Sequence, residues 1–318
     1  MTVLAFSVLE RVLPFFLLVG VGVGLARLRL LDARMSAGLS GYVYWVGFPA
    51  LLIHSLSRVG PPDAALASGL AAVAACALAV SALMVALGVA LKWSREERAG
   101  AALAASLGNS AFLGLPIAAA VLGDEAARLA AGVVAVDFVV IAAVGVALLG
   151  WAGGRSTWRS LMQALRNPVV LAALTGTLMA AFGLSLPGVL DRAVASVAAS
   201  GSPVALVALG VALGLPALAS DPPSAPAPRW PPVVIAALAK LFLLPTLVWF
   251  ATEAVGAPLA FMLGATLLAA TPTAVNVFIQ TRAYGVFERG GARTVALTTA
   301  AACLTLTAVT LLLTMRVS

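Results

Sequence analysis

Apolar runs of nearly equal length follow one another along the whole chain, separated by short polar connections. A helix rising 1.5 Å per residue needs roughly 20 apolar residues to cross about 30 Å of hydrocarbon. Ten runs meet that length, near residues 8–28, 39–57, 66–91, 99–122, 129–152, 168–186, 193–215, 232–252, 258–280 and 294–315. They are continuous Leu/Ala/Val stretches without two-residue alternation, and backbone groups in lipid must bond within their own segment. The pattern therefore predicts helices and not a barrel. The expected fold class is all-α, an integral membrane protein of ten transmembrane helices. Two connections are longer than the rest. Residues 153–167 carry STWRSLMQALR, expected as a short amphipathic helix, and residues 216–231 form a Pro-rich linker.

Composition agrees with the pattern. Of 318 residues 62% are hydrophobic and 10% charged, and the mean hydropathy is +1.09. That is too little charge to clothe a soluble domain, which excludes ordinary soluble enzymes and nucleic-acid binders. Cys76 and Cys303 lie deep in apolar stretches and imply no disulfide framework. The first apolar run follows Glu10 and Arg11 and is too long for a signal-peptide core, so it is expected as a mature span.

The net charge of +7 is explained by where the basic residues fall. Thirteen Lys and Arg lie in the connections after spans one, three, five, seven and nine, against five on the opposite side. The positive-inside rule then puts the odd-numbered connections in the cytoplasm and both termini outside a plasma or inner membrane.

The chain also repeats itself. Pro14 and Pro168 are 154 residues apart, as are Pro49 and Pro203, and at the same offset Gly22 matches Gly176 and Gly47 matches Gly201. Two repeats of five spans follow, residues 1–152 and 168–318, with 153–167 as a cytoplasmic connector. An odd number of spans inverts the second repeat, a plan common among secondary transporters.

Polar residues inside the spans mark candidate sites. Span four (ASLGNSAFLGLPIAAAVLG) and span nine (GATLLAATPTAVNVFIQTRAYG) each place an Asn (Asn109, Asn276) and a Pro (Pro116, Pro272) in mid-span. A Pro removes a backbone donor and disturbs a helix interior by about 3 kcal/mol or more. Both spans are therefore expected to be broken at membrane depth, where a break persists only if buried or lining a cavity. Asp137 in span five must face a cavity, carry a proton or find a partner, which makes it a candidate proton relay or a structural hydrogen-bonding group. Lys240 in span eight sits nearer the cytoplasmic end, where its stem can snorkel or its charge can pair within the bundle. His54, the one histidine, suits a structural or interfacial role and not a metal site. No nucleotide loop, hydrolase elbow or zinc motif occurs, so no enzyme activity, cofactor or resident metal is expected.

With these features in hand, the chain resembles the auxin efflux carrier family, related to the plant PIN-formed carriers and more remotely to the bile-acid sodium symporters. GNSAFLGLPIAAAVLG is similar to the family's Asn-x-x-Phe-x-Gly-x-Pro signature through Asn109, Phe112, Gly114 and Pro116. The Pro49 segment, Asp137 and ATPTAVNVFIQTRAYG support it. The resemblance implies a scaffold domain and a transport domain, the latter with helices four and nine crossing at the membrane centre around an organic anion such as auxin, malonate or malate. The chain lacks the large central loop of the PIN carriers and the intramembrane Glu and Gln that sodium sites of the symporters would need.

The reading is a secondary transporter of small organic anions working by alternating access, with a membrane channel or sensor using the same crossover as the alternative. Asn109, Ser110, Pro116, Thr271, Pro272 and Asn276 are the expected substrate-binding residues and Asp137 the expected proton-coupling residue. The expected partners are a small carboxylate, the lipid bilayer and, as the oligomeric option, a second copy of the chain.

Overall fold

The computed structural model describes residues 2–58, 63–154, 156, 158–159, 162, 166, 168–215 and 229–316. Most of the expected amphipathic connector 153–167 and of the Pro-rich linker 216–231 lies outside the described residues. Among those residues the fold is entirely helical, apart from one isolated bridge between Gly108 and Thr273.

Twelve helices follow in order. They are α1 (Thr2–Arg27), α2 (Arg34–Leu56), α3 (Ala64–Ala90), α4 (Arg95–Ser106), α5 (Ser110–Leu122), α6 (Asp124–Ala152), α7 (Pro168–Ala181), α8 (Gly188–Gly214), α9 (Trp230–Ala254), α10 (Leu259–Ala269), α11 (Val275–Tyr284) and α12 (Glu288–Thr314). Six of them are long and apolar enough to cross a membrane: α2, α3, α6, α8, α9 and α12. Shorter apolar helices include Leu13–Arg27 of α1, α5, α7 and α10.

Local chemistry sets the ends. Asp32 and Asp63 cap α2 and α3 by accepting from Met35 N (2.8 Å) and Leu66 N (2.7 Å). Ser94 and Glu97 form a reciprocal capping box that starts α4. Gly285, at φ +67°, takes the left-handed conformation that closes α11 and lets α12 turn back against it.

Four helices contain a π-helical turn, at Val43–Gly47, Ser110–Gly114, Val136–Ile141 and Ala239–Leu243. Three of these turns stand just before Pro49, Pro116 and Pro245. In each, the residue ahead of the proline bonds five residues back: Phe48 N to Val43 O, Leu115 N to Ser110 O and Leu244 N to Ala239 O. The widened turn absorbs the donor that proline lacks, so the helix continues through it. This corrects one expectation, since Pro116 does not break span four. The break lies at Leu107–Asn109, several residues earlier, where there is no proline.

The helices pack in two groups. In the first, α1 lies along α8, and α2 packs on both α7 and α8. Glycines make these approaches close. A Cβ on Gly22 would come within 2.8 Å of Gly210 Cα, one on Gly47 within 3.1 Å of Gly201 Cα, and one on Gly176 within 3.0 Å of Leu52 O. In the second group, α3, α4, α5, α6, α9, α10, α11 and α12 pack mainly on one another. Between the groups, Phe48 of α2 meets Phe112 of α5 and Phe138 of α6 edge to face, at centroid separations of 3.9 and 4.9 Å.

Candidate substrate-binding site

The second group is built around two interrupted helices. α4 stops at Ser106 and α10 at Ala269, and the chain crosses in extended conformation before α5 and α11 resume. The crossing strands pair reciprocally, with Asn109 N donating to Pro272 O (2.8 Å) and Ala274 N to Leu107 O (3.0 Å). Each break thus satisfies backbone groups that the other leaves open, which is the condition for non-helical backbone at this depth.

Side chains tie off the remaining groups. Thr273 Oγ1 donates to Ala104 O (2.8 Å) near the end of α4, and Thr273 N donates to Thr298 Oγ1 (3.1 Å) on α12. Thr271 Oγ1 donates to Leu268 O (2.6 Å). The Lys240 ammonium donates to Ala269 O, the last carbonyl of α10. Lys240 is 0% exposed. It therefore does not snorkel to a membrane surface but reaches the crossover from the π-helical turn of α9.

A cavity of about 280 Å³ begins at the crossover, where Gly108, Asn109 and Ala274–Asn276 line it. Its walls include Val43, Phe48, Phe112 and Phe138, and it extends to Ser36, Leu215 and Arg282. Those three residues lie near the connections after spans one, seven and nine. At the opposite end of α2, Arg58 bonds His54 Nε2 (2.5 Å) and Asp191 Oδ2 (2.7 Å) of α8. The lone histidine thus belongs to a tie between α2 and α8, away from the cavity.

The expected site residues separate into two sets. Asn109 and Asn276 both line the cavity, beside the starts of α5 and α11, whose first N–H groups lack intrahelical partners and carry partial positive charge. Ser110, Pro116, Thr271 and Pro272 do not line it. Ser110 turns away to donate to Asp137 Oδ2 (2.5 Å), and Asp137 is buried behind the crossover at 5% exposure. Thr271 and Pro272 form the crossing backbone itself, and Pro116 lies further along α5.

One cavity residue, Arg282, has no site role in the sequence reading. Arg282 was counted only toward the charge asymmetry, yet it lines the cavity on the same face of α11 as Val275, Phe278 and Ile279. That three- and four-residue spacing is visible in the sequence. Its guanidinium carbon lies 6.0 Å from the Phe278 ring centroid, so the side chain leans back one turn towards the crossover. Lys240 has two open readings in the sequence, and its burial against Ala269 O and Gly108 agrees with a role within the bundle.

A family model described as "Membrane transport protein" matches residues 7–310. A protein of Rhizobium meliloti (strain 1021) named "Putative malonate transporter" is 29% identical over 306 residues, which cover 93% of this chain and 92% of that protein. The family model spans nearly the full length, and the Asn109 to Pro116 motif opens the helix that leaves the crossover: this multi-pass membrane protein belongs to the auxin efflux carrier family of membrane transport proteins.

Proposed function

We propose that the protein is a secondary carrier, not an enzyme, and that it moves small carboxylates by alternating access. The observation that carries this reading is the cavity ending on Asn109 and Asn276 at the starts of two half-helices. Amide donors and helix N-termini suit a carboxylate, and Arg282 supplies a full positive charge in the same cavity. A relative named for malonate supports a short dicarboxylate as substrate. Ser110, Pro116, Thr271 and Pro272 act from behind the site, by shaping the backbone that presents the two Asn side chains.

The chain crosses the membrane ten times in this reading, with α4–α5 and α10–α11 each forming one interrupted crossing. The two five-helix repeats are inverted, which the reciprocal bonds at Leu107–Asn109 and Pro272–Ala274 support. Both termini lie outside the plasma or inner membrane, and the cavity then faces the cytoplasm. Transport proceeds as the second helix group moves against α1, α2, α7 and α8, carrying the crossover with it. Asp137 links transport to protons. It interacts with Ser110 and with Lys240, and the helices α3 and α7 packed against its turn carry no acidic or basic residue.

Counterflow in proteoliposomes tests the carrier directly. Vesicles loaded with malonate are expected to accumulate labelled malonate with saturation, whereas flux without counterflow would mark a channel and binding without flux a sensor. Uptake should depend on pH, and Asp137→Asn should flatten that dependence in the protein that folds. Lost stability with an unaltered pH profile would give Asp137 a structural role only. A cysteine at Ala127 should react with an impermeant reagent on intact cells and one at Ser94 should not. The reverse result would invert the orientation.

A further inference from the structure

The crossover contains a cation of its own. α10 ends inside the protein, and the last carbonyls of a helix have no intrahelical partner and carry partial negative charge. Near the end of α4 a hydroxyl, that of Thr273, meets this need at Ala104 O. At the end of α10 a full ammonium does so, from a side chain with no solvent exposure. Burying a lysine without compensation costs several kcal/mol, so a chain of this kind retains one where its charge is answered. Here it is met directly by Ala269 O, and Asp137 is the acidic residue whose charge acts on it electrostatically.

The neighbouring backbone is shaped to admit it. A Cβ on Gly108 would lie 3.0 Å from Lys240 Nζ and 3.1 Å from Cε, so a side chain there would press on the ammonium. Gly108 also lines the cavity, which places the positive charge directly behind the surface that meets the substrate. A backbone carbonyl at a helix end is an oxygen ligand that a free alkali cation would use, and in this chain it already meets a covalently attached one, with the Asp137 charge acting on it electrostatically.

We infer that Lys240 is the resident cation of the crossover, standing where a co-transported metal ion would bind, so that the protein works without sodium. The inference rests on the carrier reading only for its transport consequence. The purified protein should melt at the same temperature in sodium, potassium and choline chloride at equal ionic strength, and wild-type uptake should be the same in all three.

Lys240→Ala opens a space beside Ala269 O. Methylammonium or ethylammonium chloride should raise that variant's melting temperature by about 3 °C or more over choline, and should restore its uptake by about fivefold or more. Lys240→Met, which fills the space without charge, should lose uptake and gain nothing from the amines. A saturable rise of wild-type melting temperature or uptake with sodium would overturn the inference, as would full activity in Lys240→Met. If Lys240→Ala does not fold, the wild-type salt series still decides. If no carboxylate moves in any salt, the carrier reading fails, while the melting series continues to test Lys240.

Discussion

Both helix groups use glycine at close approaches, but they differ in how much buried polar chemistry they hold. In α1, α2, α7 and α8 the close approaches are made by absence of side chain, with Gly22 set against Gly210 and Gly47 against Gly201. Among the described residues of that group the buried polar side chains are Ser36 and Ser202, and Ser202 donates across to Phe112 O of the other group. In the second group the buried positions hold Ser106, Asn109, Ser110, Asp137, Lys240 and a series of threonines from Thr252 to Thr310. Unbroken helices need only a smooth surface to pack in lipid, whereas broken ones need a donor or acceptor for each freed backbone group. The concentration of buried polar side chains in the second group follows from that difference.

The sharpest way to break the comparison is to put a side chain where the first group has none. Gly22→Val sets a Cβ within 2.8 Å of Gly210 Cα, where backbone and not a yielding side chain stands in the way. Overpacking of this kind costs about 3 kcal/mol, so the yield of folded protein and the melting temperature should fall steeply. The protein that does fold should bind substrate with unchanged affinity. A loss of affinity larger than the loss of stability would show that the Gly22–Gly210 approach, which does not line the cavity, sets the position of the walls that α2 and α8 give it.

Substitution in the second group should do the converse. Asn109→Ala and Asn276→Ala each remove an amide donor from the cavity, and losing a hydrogen bond to a charged ligand costs about 1.5–3 kcal/mol, roughly tenfold to a hundredfold in affinity. Titration calorimetry should show that loss at nearly unchanged melting temperature. Unchanged affinity in both variants would move the site.

Thr273→Val keeps the shape of the crossover but removes the donor to Ala104 O. A buried carbonyl left without its partner costs about 1–2 kcal/mol, so a drop of several degrees in melting temperature is expected. The smallest effect is a control within α1. Gly24 has nothing within 4 Å of its would-be Cβ, so Gly24→Ala should be neutral or stabilise by up to about 1 kcal/mol. If it instead behaved like Gly22→Val, glycine itself and not close packing would be what α1 requires.

The same contrast explains what could be read from the sequence. The matched glycines and prolines at the 154-residue offset are local requirements of close packing, and the structure sets Gly47 and Gly201 against each other. Hydropathy gave the apolar helices for the same reason, since lipid acts on every residue of a span. The crossover was legible in span nine, where Pro272 sits in the break, and misplaced in span four. There Pro116 drew attention, although a π-helical turn accommodates it and the break at Leu107–Asn109 is held by residues far away in the chain. For Lys240 the sequence leaves snorkelling and pairing within the bundle both open, because distance along a span says nothing about the helix end a side chain meets from the side.

That long-range pairing has a consequence for biosynthesis. Thr273 closes a carbonyl of Ala104 across 169 residues of sequence. At about 5–20 residues per second the ribosome needs roughly 10–30 s to reach it. For that time the first interrupted span has left the ribosome with Leu107 O and Asn109 N–H lacking their final partners. An open backbone is costly in hydrocarbon, so the nascent segment has to stay beside water or the insertion machinery until the second half arrives. The crossover is thus among the last parts of the chain to be completed.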